Sequence, residues 1–149
     1  MREGIVGFRV HSQLQTDCYS LGEFELCQLM LAKDANYPWF ILVPQREDIT
    51  EIYQLTENDQ LQLWSESSLF SEVVMECFQG HKLNVAALGN MVPQLHLHHI
   101  VRYRNDLAWP GPIWGAAEAL GYQLNQLDGI RNRLLPMLKN KGFREKTAL

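Results

Sequence analysis

The sequence predicts an α+β domain: an antiparallel sheet with one long central helix and a helical extension at the carboxyl end. Three observations point there. Short apolar runs occur in neighbouring pairs joined by turn chemistry, as antiparallel strands do. One long stretch, Glu57 to Gln79, carries an apolar stripe at helical spacing. No regular alternation of strand and helix marks a parallel sheet.

The elements follow in order. Thr16 to Gly22 reads as a short extended piece ending in a turn, and Phe24 to Leu31 as apolar strand. Ala32 to Pro38 is turn chemistry, because Asp34 and Asn36 bond to nearby backbone and Pro38 fixes the exit. Trp39 to Val43 is a continuous apolar run halted by Pro44, so these pieces form a hairpin with a long connection. A short helix fits Asp48 to Leu55. In the long helix Leu61, Trp64, Ser68, Leu69, Met75 and Phe78 make an imperfect stripe, with Glu66, Glu72 and Glu76 on a solvated face. Gly80 then ends it as a glycine just past a helix does. Lys82 to Leu88 and Leu95 to Tyr103 are strands about a Gly89-Asn90 turn. Ala108 to Gly115 holds too much proline and glycine for regular structure. One or two helices fit residues 116–139, and the polar, basic tail from Lys139 is predicted to fray. The 149 residues suit one domain, with a core over about 16–115 and a helical extension over 116–149.

Composition narrows the function classes. The net charge is −4 and no block of Lys or Arg forms a basic face, which argues against a nucleic-acid partner. An anionic ligand would therefore be held by local donors. No apolar run approaches the roughly 18 residues of a membrane span, and the first ten residues lack the apolar centre of a leader. Cys18, Cys27 and Cys77 are an odd, scattered set, better suited to buried thiols than to a disulfide frame or zinc site. A cytoplasmic location is expected.

The chemistry lies between Asn84 and Ile100. Side chains of a strand alternate with period two, so Gln94, His96, His98 and Ile100 share one face, and Leu95, Leu97, His99 and Val101 the other. Imidazole can act as nucleophile, proton carrier and donor near neutral pH, so such a row suits phosphorus chemistry. The glycine turn before it gathers backbone N–H groups able to cradle phosphate oxygens. His99 points away and reads as structural, and His11 and His81 as surface or helix-end residues. That divergence also argues against a zinc site on His96, His98 and His99, so no metal and no cofactor is expected.

The segment from Gly89 to Ile100 resembles the signature of the histidine-triad (HIT) family, in which a turn leads into three alternating histidines. On that signature Gln94 takes the first histidine's place, His96 the middle and His98 the last. The resemblance implies that His96 is the nucleophile of a nucleotidyl-histidine intermediate, with His98 and Gln94 completing the catalytic set. It also implies nucleotide contacts from Asp34, Asn84, Gly89, Asn90 and Met91, and a homodimer. Asp34 to Pro44 and Ala108 to Gly115 look like a bacterial branch similar to diadenosine polyphosphate hydrolases. Phe40 and Ile41 would then offer a wall to the base.

Two departures from the family pattern stand out. Gln94 replaces a histidine and cannot titrate near neutral pH. Trp39 stands where many members carry a fourth histidine. Three readings follow: a nucleotide hydrolase or nucleotidyl transferase, a catalytically weakened nucleotide sensor, or a structural partner protein. Asp34 serves equally as turn former or ribose contact, and Trp109 and Trp114 as core or interface residues.

Overall fold

The structure, a computed structural model, describes residues 7–147. Its centre is a six-stranded antiparallel sheet built from β1 (Cys18–Glu23), β2 (Cys27–Ala32), β3 (Trp39–Pro44), β4 (Lys82–Ala86), β5 (Leu97–Arg102) and β6 (Arg144–Glu145), in the order β4-β5-β3-β2-β1-β6. A short helix, α1 (Ser12–Asp17), precedes β1; α2 (Glu57–Phe78) joins β3 to β4; α3 (Leu124–Leu138) precedes β6. The α+β class expected from the strand pairs and the long helix is the class observed.

The β2–β3 hairpin pairs Leu31 with Phe40 and Cys27 with Pro44. Alternation along β3 then separates two packing layers. Phe40 and Leu42 face α2, where the Phe40 ring meets Phe70 at 5.3 Å. Ile41 and Val43 face the opposite side, with Val10, Leu14, Cys18 and Val92. Phe40 therefore belongs to the core beneath the sheet, and only Ile41 remains as a wall for a ligand.

Helix α2 starts where its donors are met. The Thr56 hydroxyl accepts from the Asp59 amide at 3.1 Å, and Glu57 and Asp59 place negative charge in the first turn. Its buried stripe is Leu63, Glu66, Ser67, Phe70, Val73 and Val74. Of the expected stripe, Leu69, Met75 and Phe78 pack half-buried at the margin of this core, whereas Leu61, Trp64 and Ser68 are exposed. Two polar residues sit in the true stripe, which hid its period. Glu66 is not on a solvated face; its carboxylate accepts from the Leu26 and Cys27 amides at 2.8 and 2.9 Å and closes the β1–β2 turn.

The helix end also departs from expectation. Gln79 takes the left-handed conformation (φ 51°), whereas Gly80 is needed for space, since a Cβ there would collide with Val101. The short helix expected before α2 is one 3₁₀ turn, Ile52–Gln54. Residues 12–17 are helical and Cys18–Glu23 is a full strand, so the extended piece begins two residues later than its sequence pattern implies.

The carboxyl-terminal stretch joins the same core. Leu127, Leu134, Leu135 and Leu138 of α3 are buried with Phe70 and Val74. The tail beyond it does not fray over the described residues: β6 pairs with Gly22 and Glu23, and Phe143 packs tilted against Phe24 with ring centroids 5.0 Å apart. One aromatic residue and a free sheet edge outweigh the polar composition of the segment.

Glu66→Ala should strip both turn amides of their acceptor in a buried site. The expected loss of stability is about 3 kcal/mol, from two charge-assisted hydrogen bonds and two orphaned donors. Chemical denaturation would read it; a loss under about 1 kcal/mol would show that water replaces the carboxylate.

Candidate functional site

All six residues of β5 are buried, so each face must satisfy its own polar groups. Toward α2 lie Leu97, His99 and Val101. His99 Nδ1–H donates to the Leu97 carbonyl at 3.0 Å, which leaves Nε2 to accept the Ser67 hydroxyl at 2.8 Å. Burial pulls its pKa down to about 4, and it serves the core, as its strand parity predicts.

The opposite face carries His98, Ile100 and Arg102. The Trp39 indole N–H donates to His98 Nδ1 at 3.0 Å. Arg102 forms a buried ion pair with Asp106, its Nε at 2.8 Å, and its Nη1 donates to Asn84 Oδ1 at 2.8 Å. The guanidinium bonds hold the Asp106 carboxyl down at about 2. Asp106 also accepts from the amides of Tyr103, Ala108 and Trp109, which turns the chain back over the sheet. This brings Trp114 edge-on to His98, with ring centroids 5.1 Å apart.

His96 lies just before β5, and it lines one cleft with Gly89 (φ 71°), Asn90 and Met91 of the preceding connection. Its Nδ1–H donates to the Gln94 carbonyl at 2.7 Å, which leaves Nε2 as the atom with an available lone pair. Its ring centroid is 4.8 Å from that of His98. Burial lowers the pKa of His96 against the opposing effect of the Gln94 carbonyl, with a smaller lowering from His11. His98 is pulled further, to about 3, by burial and then by the neighbouring His96 and His99. Both rings are therefore neutral at neutral pH.

The two histidines open into a cleft of about 630 Å³. Gly89, Asn90 and Met91 line it, as do Asp34, Ile41, Leu14, Lys33 and Trp114. Six of the sequence-selected residues thus share one cleft: His96, His98, Asp34, Gly89, Asn90 and Met91. The other two stand apart. Asn84 gives its carboxamide oxygen to Arg102 and is not among the cleft-lining residues. The Gln94 side chain turns toward the amino-terminal segment, accepting from the His11 amide and donating to the Arg9 carbonyl, both at 2.8 Å. What Gln94 offers His96 is its main chain.

Asp34 does the turn former's work: Oδ1 accepts from the Asn36 amide at 3.0 Å and the Leu120 amide at 3.2 Å. It remains at the cleft margin. Arg102, Asp106 and Trp114 were missed as site-building residues, although period two from His98 leads straight to Arg102. Among the described residues no three His, Cys, Asp or Glu side chains converge as a metal site, and no helix is long and apolar enough to cross a membrane. All three cysteines carry free thiols.

Paired histidines at the start of a central strand, beside a glycine-bearing loop on a sheet of this order, define a class of small α+β domain. The HIT domain family matches residues 13–105, and the chain belongs to that family. It is similar to three crystal structures of histidine triad proteins. The one from Marinobacter aquaeolei VT8 is 51% identical over 89% of this chain and 96% of that one, with a TM-score of 0.86. The one from Bradyrhizobium japonicum is 42% identical over 87% and 97%, with a TM-score of 0.86. The one from Sinorhizobium meliloti 1021 is 38% identical over 91% and 100%, with a TM-score of 0.88. No curated protein matches the chain.

Because His96 is held by a carbonyl, Gln94→Ala should leave that bond intact and loosen only the Arg9–His11 segment. The expected outcome is a stability loss of about 1–2 kcal/mol for two partly exposed hydrogen bonds. Hydrogen exchange at the His11 amide should quicken while ligand affinity changes less than about threefold, about 0.65 kcal/mol. A tenfold affinity loss would instead put the carboxamide in contact with ligand.

Proposed function

We propose that the chain binds a nucleoside phosphate in this cleft and acts on its α-phosphorus through His96. The observation that carries this reading is the His96 Nδ1–H bond to the Gln94 carbonyl, which leaves Nε2 available beside His98 in the cleft that Gly89, Asn90 and Met91 also line. Ile41 and Leu14 supply an apolar surface for the nucleoside, and Asp34 an acceptor near it.

The Nε2 lone pair forms a bond to phosphorus as the bond to the leaving oxygen or nitrogen breaks. The leaving group takes that electron pair and a proton from water. Positive charge then spreads over the imidazole, and the Gln94 carbonyl at Nδ1–H stabilises it. Charge on the non-bridging oxygens is met by the amides of the 89–91 turn and by His98. Water adds to phosphorus, the N–P bond breaks, its proton is released, and nucleoside monophosphate and neutral His96 are restored. The substrate class is nucleoside phosphoramidates or dinucleoside polyphosphates. The likeness of residues 34–44 and 108–115 to the diadenosine polyphosphate hydrolase-like branch supports the latter, and the homodimer implied by the family resemblance belongs to the same proposal.

One observation favours a second reading, a nucleotide sensor of weakened turnover. The Gln94 side chain is engaged with Arg9 and His11, so the first triad position supplies no proton to a leaving group.

Incubation with adenosine phosphoramidates and diadenosine polyphosphates, with monophosphate release as the readout, separates the two. His96→Ala should lower turnover more than about a thousandfold while monophosphate still binds. Binding with no turnover in the unaltered protein would favour the sensor; neither would remove the assigned site.

The pH dependence follows from the lowered His96 pKa. Attack requires unprotonated Nε2, so protonation removes activity. kcat/KM should fall as pH drops through a value below 6.5 and be flat above it. An acid limb centred above 6.5 would mean that another group is limiting.

A further inference from the structure

Trp39 has no catalytic chemistry of its own, yet it is the direct partner of a site histidine. An indole N–H only donates, so His98 Nδ1 must accept and cannot carry a proton. An imidazolium would set two N–H groups against each other at 3.0 Å. The neutral ring then carries its proton on Nε2, which has no partner among the described residues. His96 has the opposite arrangement, with Nδ1–H donating to a carbonyl.

We propose that Trp39 is a positioning residue that locks His98 as a neutral Nε2–H donor to the α-phosphate, so that of the two paired rings only His96 offers a free acceptor nitrogen. The phosphate-binding part rests on the function proposed above; the tautomer lock stands without it. Three further contacts support the assignment. Trp39 stands edge-on to Trp114 at 6.1 Å, and Trp114 packs against His98 at 5.1 Å, so the two indoles and the imidazole close one ring cluster. Strand pairing sets Trp39 opposite Ile100 and Ile41 opposite His98, which places the indole next to the imidazole on one face. His96 and His99 act on the ring electrostatically, and Asp34, Lys33 and Asp17 line the same cleft; none makes a hydrogen bond to His98, so none competes for Nδ1.

The consequence runs against the simple reading of Trp39 as a lost histidine. A second histidine at that position could exchange protons with His98. Tryptophan removes that exchange and keeps hydrogen on His98 Nε2 across the neutral range.

The test is ¹⁵N–¹H correlation of the histidine rings in ligand-free protein, for the unaltered chain and Trp39→Phe, followed by titration with adenosine monophosphate. His98 should show the Nε2–H tautomer unchanged from pH 8 to about pH 5, a range set by the ordinary imidazole pKa of about 6.5. In Trp39→Phe its tautomers should mix, its pKa should rise, and monophosphate affinity should fall about tenfold, which corresponds to about 1.4 kcal/mol. If phenylalanine destabilises the fold, benzothienylalanine at position 39 keeps the shape of the indole and removes only its N–H. An Nδ1–H tautomer in the unaltered protein, or one untouched by either replacement, would overturn the lock. A locked tautomer with no monophosphate binding in any form would overturn the phosphate role and with it the proposed function, leaving the lock standing.

Discussion

The burial of β5 on both faces is the constraint on which the rest of the molecule turns. A central strand between β3 and β4, covered by α2 on one side and by the 106–115 loop on the other, leaves little water for its side chains outside the cleft that His98 lines. Yet three of its six residues are His98, His99 and Arg102. An unpaired buried donor or acceptor costs about 1–3 kcal/mol and an unpaired charge more, so each of these must recruit a partner. His99 takes Ser67, His98 takes Trp39, and Arg102 takes Asp106 and Asn84. The fold and the candidate site are therefore one arrangement: the partners that make burial tolerable also set ring orientation and loop path.

The Arg102–Asp106 pair shows how far this reaches. Both side chains are nearly inaccessible, so the pair alone has little claim to stabilise the protein; desolvation offsets most of its attraction. Its effect is structural. Asp106 spends its remaining lone pairs on three backbone amides, and Arg102 lies beneath the Trp109 and Tyr37 rings. A proline- and glycine-rich loop that would have little order of its own is fixed by this anchor. Trp114 reaches His98 as a result.

Much of this was legible in the sequence, and the rest was hidden for identifiable reasons. The β2–β3 hairpin, α2, the two strands about Gly89-Asn90 and the parity of His96, His98 and His99 all follow from period and turn chemistry. The phase of α2 did not, because Glu66 and Ser67 occupy buried positions by virtue of partners distant in the chain. The β6 tail is a pairing with β1 more than a hundred residues earlier, and local composition carries no trace of it. In the site, residue identity indicated which side chains could act. It could not indicate that Gln94 would hold His96 by its carbonyl while its side chain clamps Arg9 and His11, nor that Asn84 would be consumed by Arg102. Those are facts about where a side chain finds its partner.

The same logic explains how two adjacent, chemically identical rings come to differ. The cleft holds Asp17 and Asp34 against Lys33, whose ammonium lies over the Tyr19 ring, so its field gives an anion little attraction. For the proposed reaction an anion there must be held by oriented N–H dipoles, and the attacking nitrogen must be free of protons. One neutral imidazole cannot offer both from the same atom. A carbonyl at Nδ1 of His96 makes its Nε2 an acceptor, and an indole N–H at Nδ1 of His98 makes its Nε2 a donor. With the rings 4.8 Å apart and both desolvated, neither needs to ionise for nucleophile and donor to stand side by side. Division of labour within the pair is thus set by what sits behind each ring, and a glutamine main chain and a tryptophan accomplish it without further titratable groups.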